Sequence, residues 1–221
     1  MIPGTNSSAE SAATQKLIEV MRLRDRDLAD HGLRAAYMAA AIAGELGCSS
    51  DEIDRTYLGG LLHDIGKLGI PEAILWKPSG LDAGEWRAVR SHPQDGHRLV
   101  VDLTHREVAA AVLYHHERFD GEGYPHRVDL SSMPLVVRIV QVADAYDAMT
   151  SERPYEPALP AAVAVEEINR CAGAQFDPDP ARALARLLEA RLDGQAITLP
   201  ETLGVIPSDP FVAPLAAVGG H

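Results

Sequence analysis

The sequence predicts an all-α fold, and three observations carry that expectation. Apolar residues recur at helical spacing through most of the chain, and no segment shows the alternation of a strand. Aromatic residues are only 5% of the chain against 46% apolar, so small and branched aliphatic side chains must fill the core, which favours helix over sheet. Helix-stopping and helix-capping residues fall between the periodic segments.

Taken in order, residues 17–23 and 33–46 carry the first helical periods, with Gly47 as the stop of the second and Ser50 as the N-cap of the next. Residues 53–62 run directly into His63 and Asp64. A loop holding Pro71, Pro78 and Gly80 follows, then Asp82 caps a helix reaching Arg90 and Pro93 suits the first turn of its successor. Residues 107–115, 134–149, 160–170 and 180–192 complete the set. The expected organisation is a flexible N-terminal segment over residues 1–14, one domain over 15–194 and a Pro-rich C-terminal tail over 195–221.

Composition excludes several functions. The formal charge of −12 argues against broad nucleic-acid binding, so no DNA partner is expected and an anionic ligand must be held locally. No stretch has the length of apolar sequence a membrane span needs, and residues 1–10 lack the apolar core of a signal peptide, which points to a cytoplasmic protein without membrane association. Cys48 and Cys171 are too few for a disulfide framework or a thiolate cage.

The chemistry lies in His31, His63, His92, His115 and His116 with Asp64 and Asp144: seven candidate ligands of mixed imidazole and carboxylate type. Such a set suits two divalent ions of the Fe, Mn, Ni or Zn kind better than Mg or Ca, which prefer oxygen shells. Asp64 has two carboxylate oxygens to offer two ions. His115 and His116 lie about 100° apart on a helix, so they share a site only near a helix end, which Gly121 and Gly123 supply. A helix continuing through Ile65 puts Lys67 on the same face as His63. Two divalent ions against two carboxylates leave about +2 before Lys67 is counted, which explains how an acidic chain holds a phosphate and makes phosphodiester hydrolysis the expected reaction. His97, His105, His126 and His221 are assigned to surface or core.

These residues carry a resemblance. With His63-Asp64-Ile65-Gly66-Lys67, His92-Pro93, the run from His115 to Pro125 that fits HHExxDGxGYP, Ala143 to Thr150, and Arg153-Pro154-Tyr155, the chain resembles an HD-GYP domain over residues 24–178. That branch of the HD phosphohydrolase superfamily is associated with hydrolysis of cyclic dinucleotides, chiefly cyclic di-GMP, in bacterial signalling. The resemblance implies an HD-type helical bundle with a metal site at its centre, and cleavage of cyclic di-GMP, with pGpG or GMP as the end product. It implies one metal on His31, His63, Asp64 and Asp144, and a second on Asp64, His92, His115 and His116, with Fe or Mn ahead of Ni or Zn. Lys67 and Asp64 are then the catalytic residues. Lys67, Arg153, Asp120, Gly121, Gly123, Tyr124 and Pro125 are the implied substrate contacts. Some relatives hold a third ion on a Glu before the first His; here Asp27 is the candidate at that position, and two ions remain the expectation.

Departures from the family's pattern shape the alternatives. Glu156 and Pro157 stand where basic residues often follow Arg-Pro-Tyr, Ser79 replaces a common Gly after Lys-Pro, and Arg127 replaces another after the Gly-Tyr-Pro turn. The alternatives are a catalytically weak or inactive domain that binds cyclic dinucleotide or docks a partner such as a diguanylate cyclase or sensory protein, and a phosphodiesterase for another cyclic dinucleotide.

Overall fold

In the computed structural model, which describes residues 7–152 and 157–192, the chain is a bundle of helices joined by short turns, and no strand occurs among the described residues. The helices are α1 (Ser7–Arg24), α2 (Arg26–Glu45), α3 (Ser50–Leu62), α4 (Glu72–Leu75), α5 (Ala83–Arg90), α6 (His92–Val100), α7 (Arg106–Tyr114), α8 (Leu135–Thr150), α9 (Ala161–Arg170) and α10 (Pro178–Leu192). The all-α expectation holds. No helix among the described residues is long and apolar enough to cross a membrane.

Local sequence explains most boundaries. Asp25 caps α2 by accepting the Leu28 amide at 2.9 Å, and Asp82 caps α5 by accepting those of Gly84 and Glu85. Gly47, at φ 74°, ends α2 in a Schellman turn, with the Gly47 amide on the Gly44 carbonyl and the Cys48 amide on that of Ala43. Three boundaries differ from expectation. The N-cap of α3 is Ser49 rather than Ser50, because only Ser49 has Glu52 three residues on to close a capping box. Helix α1 begins at Ser7, inside the segment expected to be flexible, because Ala9, Glu10, Ala12 and Ala13 favour helix and no Gly or Pro interrupts them. The 71–80 loop holds the single turn α4. Residues 1–6 and the expected tail at 195–221 lie outside the described residues.

The interior is aliphatic and alanine-rich, as the composition requires. Met38, Ile42, Ile139, Val140, Ile168, Phe176 and Leu184 form the larger core between α2, α8, α9 and α10. Met21, Leu62, Ile65, Val100, Val108 and Val112 form a second core under α1, α3, α6 and α7. The HD turn after α3 is flanked by Leu62 and Ile65 of the second core, and α6 is seated directly on it. A Cβ added at Gly66 would stand 1.9 Å from the His92 carbonyl oxygen and 2.5 Å from the Gly96 nitrogen, so no side chain fits where the two segments meet. That contact places the first residue of α6 beside Asp64.

Candidate metal centre

Each candidate ligand sits where its helix meets the middle of the bundle. His31 lies on α2, His63 caps the C-terminus of α3, Asp64 opens the following 3-10 turn (Ile65–Gly69), His92 begins α6, His115 caps α7, and Asp144 lies on α8. The structure brings all seven together. His115 and His116 are at a helix end, as their spacing demanded.

The donor atoms form two groups about one carboxylate. On one side, His31 Nε2 lies 3.2 Å from His63 Nε2 and 3.2 Å from Asp144 Oδ1, while Asp64 Oδ2 lies 3.5 Å from His31 Nε2 and 3.4 Å from His63 Nε2. On the other, His92 Nε2 lies 3.1 Å from His115 Nε2, and Asp64 Oδ1 lies 3.2 Å and 3.7 Å from those two atoms. His116 joins this second group. Two donors about 2.1 Å from a shared ion stand roughly 3.0–3.4 Å apart in octahedral or tetrahedral geometry; most of the spacings here fall in that range, and those from Asp64 to His31 and His115 are slightly longer.

Hydrogen bonding fixes which imidazole atom each ligand presents. His63 Nδ1 lies 2.6 Å from the Gly60 carbonyl, His92 Nδ1 2.7 Å from that of Val89, and His115 Nδ1 2.9 Å from that of Val112. A carbonyl only accepts, so each Nδ1 carries a proton and donates it, and a neutral ring leaves Nε2 as a lone pair. His31 Nδ1 donates to Asp147 Oδ2 at 2.7 Å, and Arg34 holds Asp147 through Nε at 2.7 Å. With neutral rings, lone pairs face one another at 3.1–3.2 Å in both groups, an arrangement that a cation between them satisfies in place of a proton. Asp64 Oδ1 is buried with no hydrogen-bond partner, the second sign of a position meant for an ion. The residues fit divalent metal.

Titration behaviour follows from crowding. Burial opposes the charge on Asp64, but the Lys67 ammonium at 2.5 Å and His63 overcome it and hold the carboxyl well below its usual range. Burial likewise opposes protonation of His63, yet Asp64 and Asp144 push it up to about 10. Burial, with His92 close by, pushes His116 down to about 4, and burial among three other imidazoles holds His115 well below the ordinary value.

The remaining predicted residues divide. Helix α3 stops at Leu62, so Lys67 reaches the site by a 3-10 turn and not along a continuous helix; i and i+3 are nearly eclipsed there, which brings Lys67 back onto Asp64. Tyr124 stacks on His116 with centroids 4.7 Å apart. Gly121 has φ 78°, and Gly123 is pressed against Glu117, whose Cα would lie 2.4 Å from an added Cβ. The Tyr124–Pro125 peptide is cis. Asp120 turns to the loop itself, pairing with Arg118 at 2.7 Å and accepting the Glu122 amide. Asp27 is exposed on α2 and belongs to neither donor group. Arg153 and Glu156 lie outside the described residues. A cavity of about 230 Å³ opens beside the centre, lined in part by His116, Gly123, Tyr124, Gln141 and Asp144.

Two residues without a predicted role complete the arrangement. Asp147 orients His31 from one turn beyond Asp144, and the Asp-Ala-Tyr-Asp spacing already puts both on one face of α8. Buried Glu117 accepts the amides of His126, Arg127 and Val128 at 2.6, 3.1 and 3.2 Å, anchoring the far end of the Gly-Tyr-Pro loop.

Comparison with known proteins agrees with this geometry. Residues 15–179 match the HD domain family. A cyclic di-GMP phosphodiesterase of Pseudomonas aeruginosa is 36% identical over 86% of this chain and 47% of its own length. A 3'3'-cGAMP-specific phosphodiesterase of Vibrio cholerae is 39% identical over 72% of this chain and 35% of its own. The chain thus spans half or less of the length of these relatives. Among solved structures, an HDG"Y"P protein of Bdellovibrio bacteriovorus superposes with a TM-score of 0.62 at 20% identity, covering 81% of this chain and 62% of that one, a likeness of fold. With the family match and the motifs gathered round one paired imidazole and carboxylate cluster, the chain belongs to the HD domain family, in its HD-GYP branch.

Proposed function

We propose that this chain is a metal-dependent phosphodiesterase that opens cyclic di-GMP to pGpG. The observation that supports it most is the pair of facing Nε2 groups, 3.2 Å and 3.1 Å apart, with one oxygen of Asp64 turned to each. His31, His63, Asp64 and Asp144 would hold one divalent ion; Asp64, His92, His115 and His116 would hold the other. Iron or manganese suits this imidazole and carboxylate set, with nickel and zinc close behind. Bound there, divalent ions polarise a phosphoryl oxygen and make water a nucleophile at neutral pH.

The chain's own groups do the rest. Lys67, 26% exposed at the edge of the centre, carries a cation within reach of a phosphate oxygen and of the leaving oxygen. Asp147 adds no net charge because Arg34 neutralises it, so the centre keeps the positive excess that attracts a dianion to an acidic protein. Tyr124, stacked on His116 and held by a loop that Glu117 anchors, bounds the cavity where the rest of the ligand lies. The 39% identity to a 3'3'-cGAMP-specific enzyme favours, as a second reading, a mixed cyclic dinucleotide.

The test is metal analysis of protein purified without oxygen, followed by product assay on cyclic di-GMP with Mn or Fe(II). Two metal equivalents and linear pGpG are expected, and His63→Ala with Asp64→Ala removes both. Fewer than two equivalents undoes the dinuclear assignment. Intact substrate at full loading replaces the enzyme with a binding or docking domain.

A further inference from the structure

Helix α5 carries two side chains that the metal centre does not use, and one of them, Arg90, reaches the Gly-Tyr-Pro loop at Tyr124. Trp86 and Arg90 are one helical turn apart and share a face of α5. The Arg90 guanidinium carbon lies 5.9 Å from the centroid of the Trp86 ring and 5.2 Å from that of Tyr124. Tyr124 stacks in turn on His116, 4.7 Å away and 24° from parallel. Four planar groups thus form a ladder from a candidate ligand out to solvent.

The ladder's outer half is open. Trp86 is 51% exposed, and an exposed tryptophan offers a flat face on which a base stacks. Among the described residues no carboxylate pairs with Arg90, although the chain carries a net charge of −12. A guanidinium with no hydrogen-bond partner among the described residues can still make two parallel hydrogen bonds in its own plane.

We infer that Trp86, Arg90 and Tyr124 form a purine subsite in which Trp86 stacks on the base and Arg90 selects guanine through its O6 and N7. The inference rests on the phosphodiesterase reading, since it needs a scissile phosphate at the centre to aim a base along the ladder. Guanine presents two acceptors on that edge, whereas adenine presents a donor at N6 beside N7, so a forked cation meets guanine with two bonds and adenine with a clash. A matched pair of this kind discriminates by roughly ten- to a hundredfold. Cyclic di-GMP and a mixed cyclic dinucleotide both bring a guanine to such a site; cyclic di-AMP brings none.

Turnover of cyclic di-GMP and cyclic di-AMP is compared in metal-loaded wild type, Arg90→Lys and Arg90→Ala. The expected result is a guanine preference of about tenfold or more in wild type. It collapses in both variants through KM for cyclic di-GMP, with kcat nearly constant. Arg90→Lys keeps the charge and loses the fork, so a variant that keeps the preference, or a loss confined to kcat, overturns the inference. Because the chain has two tryptophans, Trp76→Phe leaves Trp86 as the only indole, and its fluorescence is titrated with each dinucleotide. If wild type cleaves neither dinucleotide, the phosphodiesterase reading falls. Quenching of Trp86 by cyclic di-GMP ahead of cyclic di-AMP still upholds the subsite, and no quenching removes it.

Discussion

Replacing Glu117 with glutamine tests whether one buried carboxylate holds the Gly-Tyr-Pro loop in place. In the native chain Oε1 accepts the amides of His126 and Arg127, and Oε2 accepts that of Val128. Glutamine has one acceptor and one donor end. Turned one way, its NH₂ faces the Val128 N–H; turned the other, it faces two N–H groups, so the first orientation is the milder. It still loses a charge-assisted bond of about 1.5–3 kcal/mol and sets two half-buried donors against each other at about 1–3 kcal/mol, a total near 4 kcal/mol. With a urea slope of about 2 kcal/mol per molar, the unfolding midpoint falls by roughly 2 M. Urea titration gives the midpoint, and hydrogen exchange at the Val128 amide locates the damage, with faster exchange there than in α8. Unchanged exchange at Val128 with a loss of less than about 0.5 kcal/mol, the scatter of ordinary surface substitutions, would show that the loop keeps its shape without the carboxylate.

Three further outcomes follow from the same geometry. Asp147→Asn keeps the size of the group that receives the His31 proton but removes its charge, so metal affinity by competition titration drops on the order of 10- to 100-fold; an unchanged affinity would mean His31 needs no orienting carboxylate. Arg127 is the one non-glycine among the described residues with positive φ, 55°, and Arg127→Gly relieves about 1–2 kcal/mol of strain against about 0.5–1 kcal/mol of added chain entropy, raising Tm by a few degrees; a lower Tm would reveal a side-chain contact that outweighs the strain. The metal-free centre holds a proton on His63, pushed up to about 10, and a bound ion displaces it. Higher pH therefore favours loading, by about tenfold per unit below that value, and a flat affinity from pH 6 to 9 would refute the protonated state.

The ligand set was legible because it is a matter of residue type and order. His63 and Asp64 adjoin, and so do His115 and His116, within a run of recognisable spacing. What stayed hidden depends on return contacts. The role of Glu117 arises only because residues 126–128 double back over it, nine to eleven positions later. Arg34 meets Asp147 across 113 residues, although each is three positions from a ligand on its own helix, at His31 and Asp144. Arg90 looked like the end of a capped helix, since nothing in its neighbours along the chain announces Tyr124. The common glycine that Arg127 replaces was visible as a departure, and its meaning came with the backbone angle. Helix periods were reliable through the core, whereas Ser49 and Ser50 are chemically alike and only the distance to Glu52 separates them.

Three of the imidazoles are tethered in the same way, each to the carbonyl three residues before it on its own backbone. The aim of each ring is therefore a property of a single helical turn and owes nothing to its fellow ligands. A centre assembled from such self-sufficient parts tolerates the loss of one without disorder in the others. It offers a lineage a stepwise route between metals, or to no metal at all, along which every intermediate keeps a folded bundle.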